Sequence, residues 1–122
     1  MNPLAPTGDP MALDIENHDG ITIITFKQPT LEANNAPELW THIQQILAET
    51  SNLIIDLTHV DFIDSTGCGI FPSCIKELNK KDGELKICGL SDKLAALFRL
   101  MAFDKLMDIT QTKDDAIAAF DD

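Results

Sequence analysis

The chain is poor in positive charge: nine Lys and Arg stand against 20 Asp and Glu in 122 residues, a formal net charge of −11. Nucleic acid and anionic membrane surfaces are both bound through Lys/Arg clusters, so neither is expected as a direct partner. Long apolar runs are missing as well. No stretch approaches the roughly 18 residues that a membrane span requires, and no secretory leader pattern opens the sequence. Cysteine is scarce and odd in number, three in all, which fits reduced thiols in a cytosol better than a disulfide framework. Cys68 and Cys74 lie off one helical face, with no Cys-x-x-Cys or His-x-x-x-His pattern nearby. No zinc site is expected. Also absent are a Walker Gly-Lys-Ser/Thr, a Gly-rich dinucleotide loop, an internal repeat and a linker to a second domain. No cofactor is expected.

What remains is enough for one core. A hydrophobic content of 44% favours a folded domain over a disordered acidic tail. Residues 1–10, with three prolines and no periodicity, read as a flexible arm. Because Met11 offers a second start, the arm is either a natural extension or a cloning remnant, and residues 11–122 form the single domain.

Leu13 to Glu16 alternates, His18-Asp19-Gly20 has turn chemistry and Ile21 to Phe26 is rich in β-formers, which predicts a hairpin. A loop from Lys27 to Asn34 leads to a helix start, where Asn35 and Glu38 have capping-box spacing and Pro37 is tolerated in the first turn. Leu39, Trp40, Ile43, Ile46 and Leu47 mark the apolar face of that helix. His18 and His42 are expected to be solvated. Leu53-Ile54-Ile55-Asp56-Leu57 reads as a buried strand. Glu84 to Cys88 alternates as another, after a stop at Lys81-Asp82-Gly83. Gly89 then turns the chain, and Ser91 or Asp92 caps a helix with Leu94, Leu97, Leu100 and Met101 inward. Phe98 stands at the edge of that face, a core residue by default and a partner patch with Leu94 and Met101 if exposed. Leu106 to Thr110 is a short strand, and Thr112 with Asp115 opens a last helix carrying Ala116, Ile117 and Phe120. A hairpin followed by alternating helices and strands predicts an α/β fold, a mixed, mostly parallel sheet with helices packed against it.

The most informative stretch is Asp61 to Ile70, DFIDSTGCGI, a strand-to-helix junction. Beyond it Ile70, Cys74, Ile75 and Leu78 recur at helical spacing. Pro72 should bend this helix or delay its regular part. Two roles compete for Ser65. It, or Thr66, caps the helix; or its hydroxyl accepts a phosphoryl group, adding about −1.5 to −2 charges beside Asp61 and Asp64. Catalysis is the weaker idea. His59 lies near Asp61 and Asp64 in sequence, but Ile63-Asp64-Ser65 breaks any Gly-x-Ser-x-Gly elbow. A reactive Cys68 competes with the plainer reading of a small buried filler between glycines.

Asp64-Ser65-Thr66-Gly67-Cys68-Gly69-Ile70 resembles the Asp-Ser-Ser/Thr-Gly-x-Gly-apolar signature of STAS domains, and of bacterial anti-sigma-factor antagonists in particular. Leu31 to Leu39 is similar to the segment entering that family's first helix, and Leu94 to Ile109 to its Leu-Phe-x-Leu helix and following strand. The resemblance runs from about Leu13 to Phe120. It implies a STAS fold and a regulatory protein that is not an enzyme and binds no metal. In such proteins the unphosphorylated antagonist binds an anti-sigma factor that is also a serine kinase, and so frees a sigma factor. Phosphorylation switches it off, and a serine phosphatase restores it. Carried onto this sequence, the acceptor is Ser65, and partner contacts fall to Asp64, Ser65, Thr66, Gly67 and Glu32. Glu32 stands where the family has the Asp of Gly-x-Leu-Asp, and Pro29 stands in place of its Gly. The resemblance further implies a cytoplasmic monomer or weak dimer. The rival within the fold is a non-switching accessory or scaffold subunit, of a lipid-transport ATP-binding complex or a signalling assembly.

Overall fold

A computed structural model describes residues 13–120; the expected arm over residues 1–10 lies outside them. The chain opens with β1 (Leu13–His18) and β2 (Ile21–Phe26), antiparallel with His18 opposite Ile21. The connecting Asp19 and Gly20 both have positive φ, 50° and 85°. That is the twist a two-residue hairpin demands, and it explains the Asp-Gly pair. β4 (Asn52–Asp56), β6 (Glu84–Cys88) and β7 (Asp108–Thr110) then add in parallel, giving the order β1-β2-β4-β6-β7. A second, two-stranded parallel sheet joins β3 (Thr30–Leu31) to β5 (Phe62–Ile63). The mixed, mostly parallel α/β architecture expected from the sequence is what the chain forms.

β2 is buried at every residue because both faces of the main sheet are covered. Ile24, Phe26, Leu53, Ile55, Leu85 and Ile87 point to the major core. There they meet α1 (Ala36–Leu47), α3 (Ile70–Asn79) and α4 (Asp92–Leu100). Phe71, Phe98 and Phe103 fill its far side, with ring centroids 5.1 and 5.2 Å apart for the two edge-on pairs made by Phe98. Ile21, Ile23, Ile54 and Cys88 point the other way, under Ala116, Ile117 and Phe120 of α5 (Lys113–Phe120). β1 is exposed along nearly its whole length, an edge strand whose alternation buries little.

Three sequence expectations need correction here. Asn35 does occupy the N-cap of α1, but its side chain makes no cap bond. Its Oδ1 instead accepts from Glu32 N–H at 2.8 Å, and its amide donates to Thr30 O at 2.8 Å and Gln28 Oε1 at 3.0 Å. It organises the loop before the helix. On α4, Phe98 is in the core, its default place, while Leu100 is 82% exposed and Met101 45%, both away from the inner face expected for them. The buried stripe of α4 runs through Leu94 and Phe98, four residues apart. Leu100, two residues past Phe98, therefore falls on the opposite side, and Met101 is the C-cap beyond the helix. Of the two cap candidates, Ser91 caps that helix, accepting from Leu94 N–H at 3.2 Å. The strand expected from Leu106 begins at Asp108, because a 3₁₀ turn at Phe103–Lys105 intervenes.

Candidate functional site

The small β3–β5 sheet positions the motif. Asp61 and Phe62 N–H both donate to Pro29 O, at 2.7 and 3.2 Å, and Asp64 N–H donates to Leu31 O at 3.1 Å. The loop before α1 is therefore stitched to the segment before Ser65. Within β5 the strand alternation sends Ile63 into the core at 4% exposure and Phe62 outward at 42%.

Asp64 completes the join. It is the N-cap of α2 (Ser65–Cys68), and its Oδ1 accepts from Gly67 N–H at 2.8 Å. Its Oδ2 accepts from Ala33 N–H at 3.0 Å, across the gap to the β3–α1 loop. The cap is thus Asp64 rather than Ser65 or Thr66: the longer carboxylate, one residue earlier, reaches the third amide of the turn. Ser65 becomes the first helical residue, exposed, and its hydroxyl makes no hydrogen bond to any other described residue.

Gly67 is buried at the crossing of α2 with β3. A Cβ built there would lie 2.6 Å from Leu31 O and 2.8 Å from Ile63 Cγ2. Gly67 lets the Ser65 turn settle on the small sheet, where a larger residue would meet backbone. Thr66 is exposed beside Ser65. Glu32 is half-buried on the adjoining loop, with Oε2 accepting from Thr30 Oγ1 at 3.0 Å. The Asp64–Ala33 bond brings the loops of Glu32 and Ser65 together.

The helix after the motif is split. α2 stops at Cys68 and α3 starts at Ile70, with Gly69 between them. Pro72 lacks the N–H that would bond Cys68 O, so the regular part starts late, as its position predicts. Cys68 is buried, and burial, reinforced by the charge of Asp64, pushes its thiol up. An activated nucleophile needs the opposite shift. Among the described residues no group of His, Cys, Asp and Glu is arranged to hold a metal ion.

Two features of the site escaped the sequence reading. Phe62 could have been found from the alternation Phe62-Ile63, had β5 been recognised as a strand. The other is a groove of about 210 Å³ between α1 and the split helix, lined by Pro37, Trp40, Thr66, Ile70 and Ser73 among others.

A sequence model of the STAS domain matches residues 12–116. The chain belongs to the STAS domain family. The anti-sigma-B factor antagonist of Listeria monocytogenes is 32% identical to this STAS chain over 100 residues, covering 81% of the chain and 88% of the relative. Among solved structures, an anti-sigma factor antagonist from Mycobacterium paratuberculosis superposes with a TM-score of 0.81 at 27% identity, covering 90% of this chain and 93% of that one. The Bacillus cell-fate determinant SpoIIAA in its phosphorylated form shares the fold, with a TM-score of 0.69 at 18% identity, covering 89% and 99%.

Proposed function

We propose that this chain is an anti-sigma-factor antagonist switched by phosphorylation of Ser65. Unmodified, it binds an anti-sigma factor and frees the sigma factor; that factor, itself a serine kinase, modifies Ser65, and a serine phosphatase resets it. Both encounters take place in the cytoplasm, with the antagonist as a monomer or weak dimer. The observation that carries this reading is the exposed Ser65 hydroxyl, bonded to no other described residue, on a turn whose neighbouring Asp64 carboxylate is committed on both oxygens. Asp64 and Thr66 flank Ser65 in the chain, and the Asp64–Ala33 bond ties the Glu32 loop to the same turn. A partner that packs there must therefore meet any group Ser65 carries. A phosphate would have to be desolvated, and an imperfectly paired buried dianion costs several kcal/mol. Complex formation is then lost without any change of fold.

The test is direct. The protein and its Ser65→Ala variant are incubated with ATP and each serine-kinase anti-sigma factor of the source cell, and intact mass is read. Wild type should gain one phosphate and the alanine variant none. A factor that binds but never modifies Ser65 would instead support the accessory or scaffold role. Modification at Thr66 would move the site and keep the switch.

A further inference from the structure

Trp40 is the sole tryptophan of the chain and is half-buried, on the wall of the groove between α1 and the split helix. Thr66 forms part of the same wall, so the groove opens next to Ser65. Its lining is mainly apolar, and its volume of about 210 Å³ gives room for one large side chain. Aromatic-lined pockets of this kind hold the anchor residues that dominate protein interfaces.

The electrostatic setting narrows the occupant. From Gln28 to Ile75 there is no Lys or Arg, while Glu32, Glu38, Glu49, Asp56, Asp61 and Asp64 all fall in that stretch. This stretch builds β3, α1, β4, β5, α2 and the first turns of α3, that is, everything around the groove. A partner segment with an acidic rim would be repelled along its whole length.

We propose that the Trp40 groove is the apolar anchor point for the anti-sigma factor, receiving one large apolar side chain from a segment flanked by Lys or Arg. The proposal rests on the antagonist reading of the Ser65 site and assigns that partner its mode of docking. The anchor must lie flush against Thr66, so a phosphate on the adjacent Ser65 lifts it out of the groove. Cations on the partner steer the encounter, and the seated anchor sets the lifetime of the complex.

Labelling with 5-fluorotryptophan gives a single ¹⁹F signal, because only Trp40 takes up the probe. Each serine-kinase anti-sigma factor of the source cell is titrated into the labelled protein, and affinities of Trp40→Ala and Ser73→Lys are measured in parallel. The cognate factor should shift the signal in step with complex formation. Both variants should bind at least tenfold more weakly while melting as cooperatively as wild type. Ser73→Lys serves as the second variant because it places a cation in the groove without removing Trp40. If a factor binds wild type with the Trp40 signal unmoved, and binds Ser73→Lys equally well, the groove is not the anchor and the antagonist reading stands. If no factor binds wild type, the antagonist reading fails, and the anchor assignment falls with it.

Discussion

Asp64 and Gly67 show how two residues of one motif shape the site through the fold itself. Asp64 spends its carboxylate on the amides of Gly67 and Ala33. Asp64→Ala should therefore cost about 1–2 kcal/mol in denaturant unfolding, the loss of a cap plus a bond between segments. The two glycines of the motif should behave oppositely. Gly67→Ala drives a methyl into the Leu31 carbonyl and should destabilise by about 2–3 kcal/mol, the cost of overpacking against backbone. Gly69 has helical φ and ψ, and a Cβ there meets nothing closer than 3.5 Å. Gly69→Ala should stabilise by about 0.4–1 kcal/mol, by restricting the unfolded chain. Equal losses from the two substitutions would show that the packing of α2 on β3 is not what selects glycine.

At the scale of elements, the sequence was legible wherever an element is long enough to show a period or a turn signal. The Asp19-Gly20 hairpin, the apolar face of α1 and the alternating helices and strands could all be read in advance. The β3–β5 sheet could not: each strand is two residues long, too short for periodicity, and its partner is distant in sequence. Without it, the link between Glu32 and the Ser65 turn was visible only by resemblance. Leu100 misled for a different reason: it follows Leu97 at helical spacing, yet the buried stripe runs through Leu94 and Phe98 and leaves Leu100 on the far side. Lys86 illustrates burial that no pattern announces. It is 3% exposed in β6, with Nζ 2.6 Å from Asp108 Oδ2, 3.1 Å from Glu84 Oε1 and 4.5 Å from the Phe120 ring centroid. Both carboxylates are mostly exposed, so removing the ammonium strands no buried charge. Lys86→Met should thus cost less than about 1.5 kcal/mol by thermal or denaturant unfolding. A loss above about 3 kcal/mol would mean that the ion pairs, rather than the stem and Phe120, hold α5 to the sheet.

The whole molecule should weaken in alkali. Burial pushes the Cys74 thiol up to about 12, and burial with the charge of Asp56 takes Cys88 to about 12 as well. Burial alone would lower the Lys86 pKa, but hydrogen bonds to Asp108 and Glu84 outweigh it and the net shift is upward. In each case the folded state holds its proton more tightly than the unfolded chain. That stability is fully present below the ordinary thiol value of 9.0 and is lost as pH rises toward about 12. Unfolding free energies measured between pH 8 and 11 should fall. Cys74→Ala should flatten the slope by about 1.4 kcal/mol per pH unit above the unfolded thiol pKa. An unchanged slope would show that Cys74 ionises freely in the folded state.

The proposed switch would be a surface event: a phosphate on the Ser65 hydroxyl would change the face offered to a partner and leave the core alone. The measurement that bears most directly on this is the affinity of the unmodified and the Ser65-phosphorylated protein for the same anti-sigma factor, read by calorimetry at constant ionic strength. Phosphorylation should weaken the complex at least a hundredfold, with the two forms unfolding within a few degrees of each other. Equal affinities would contradict the account.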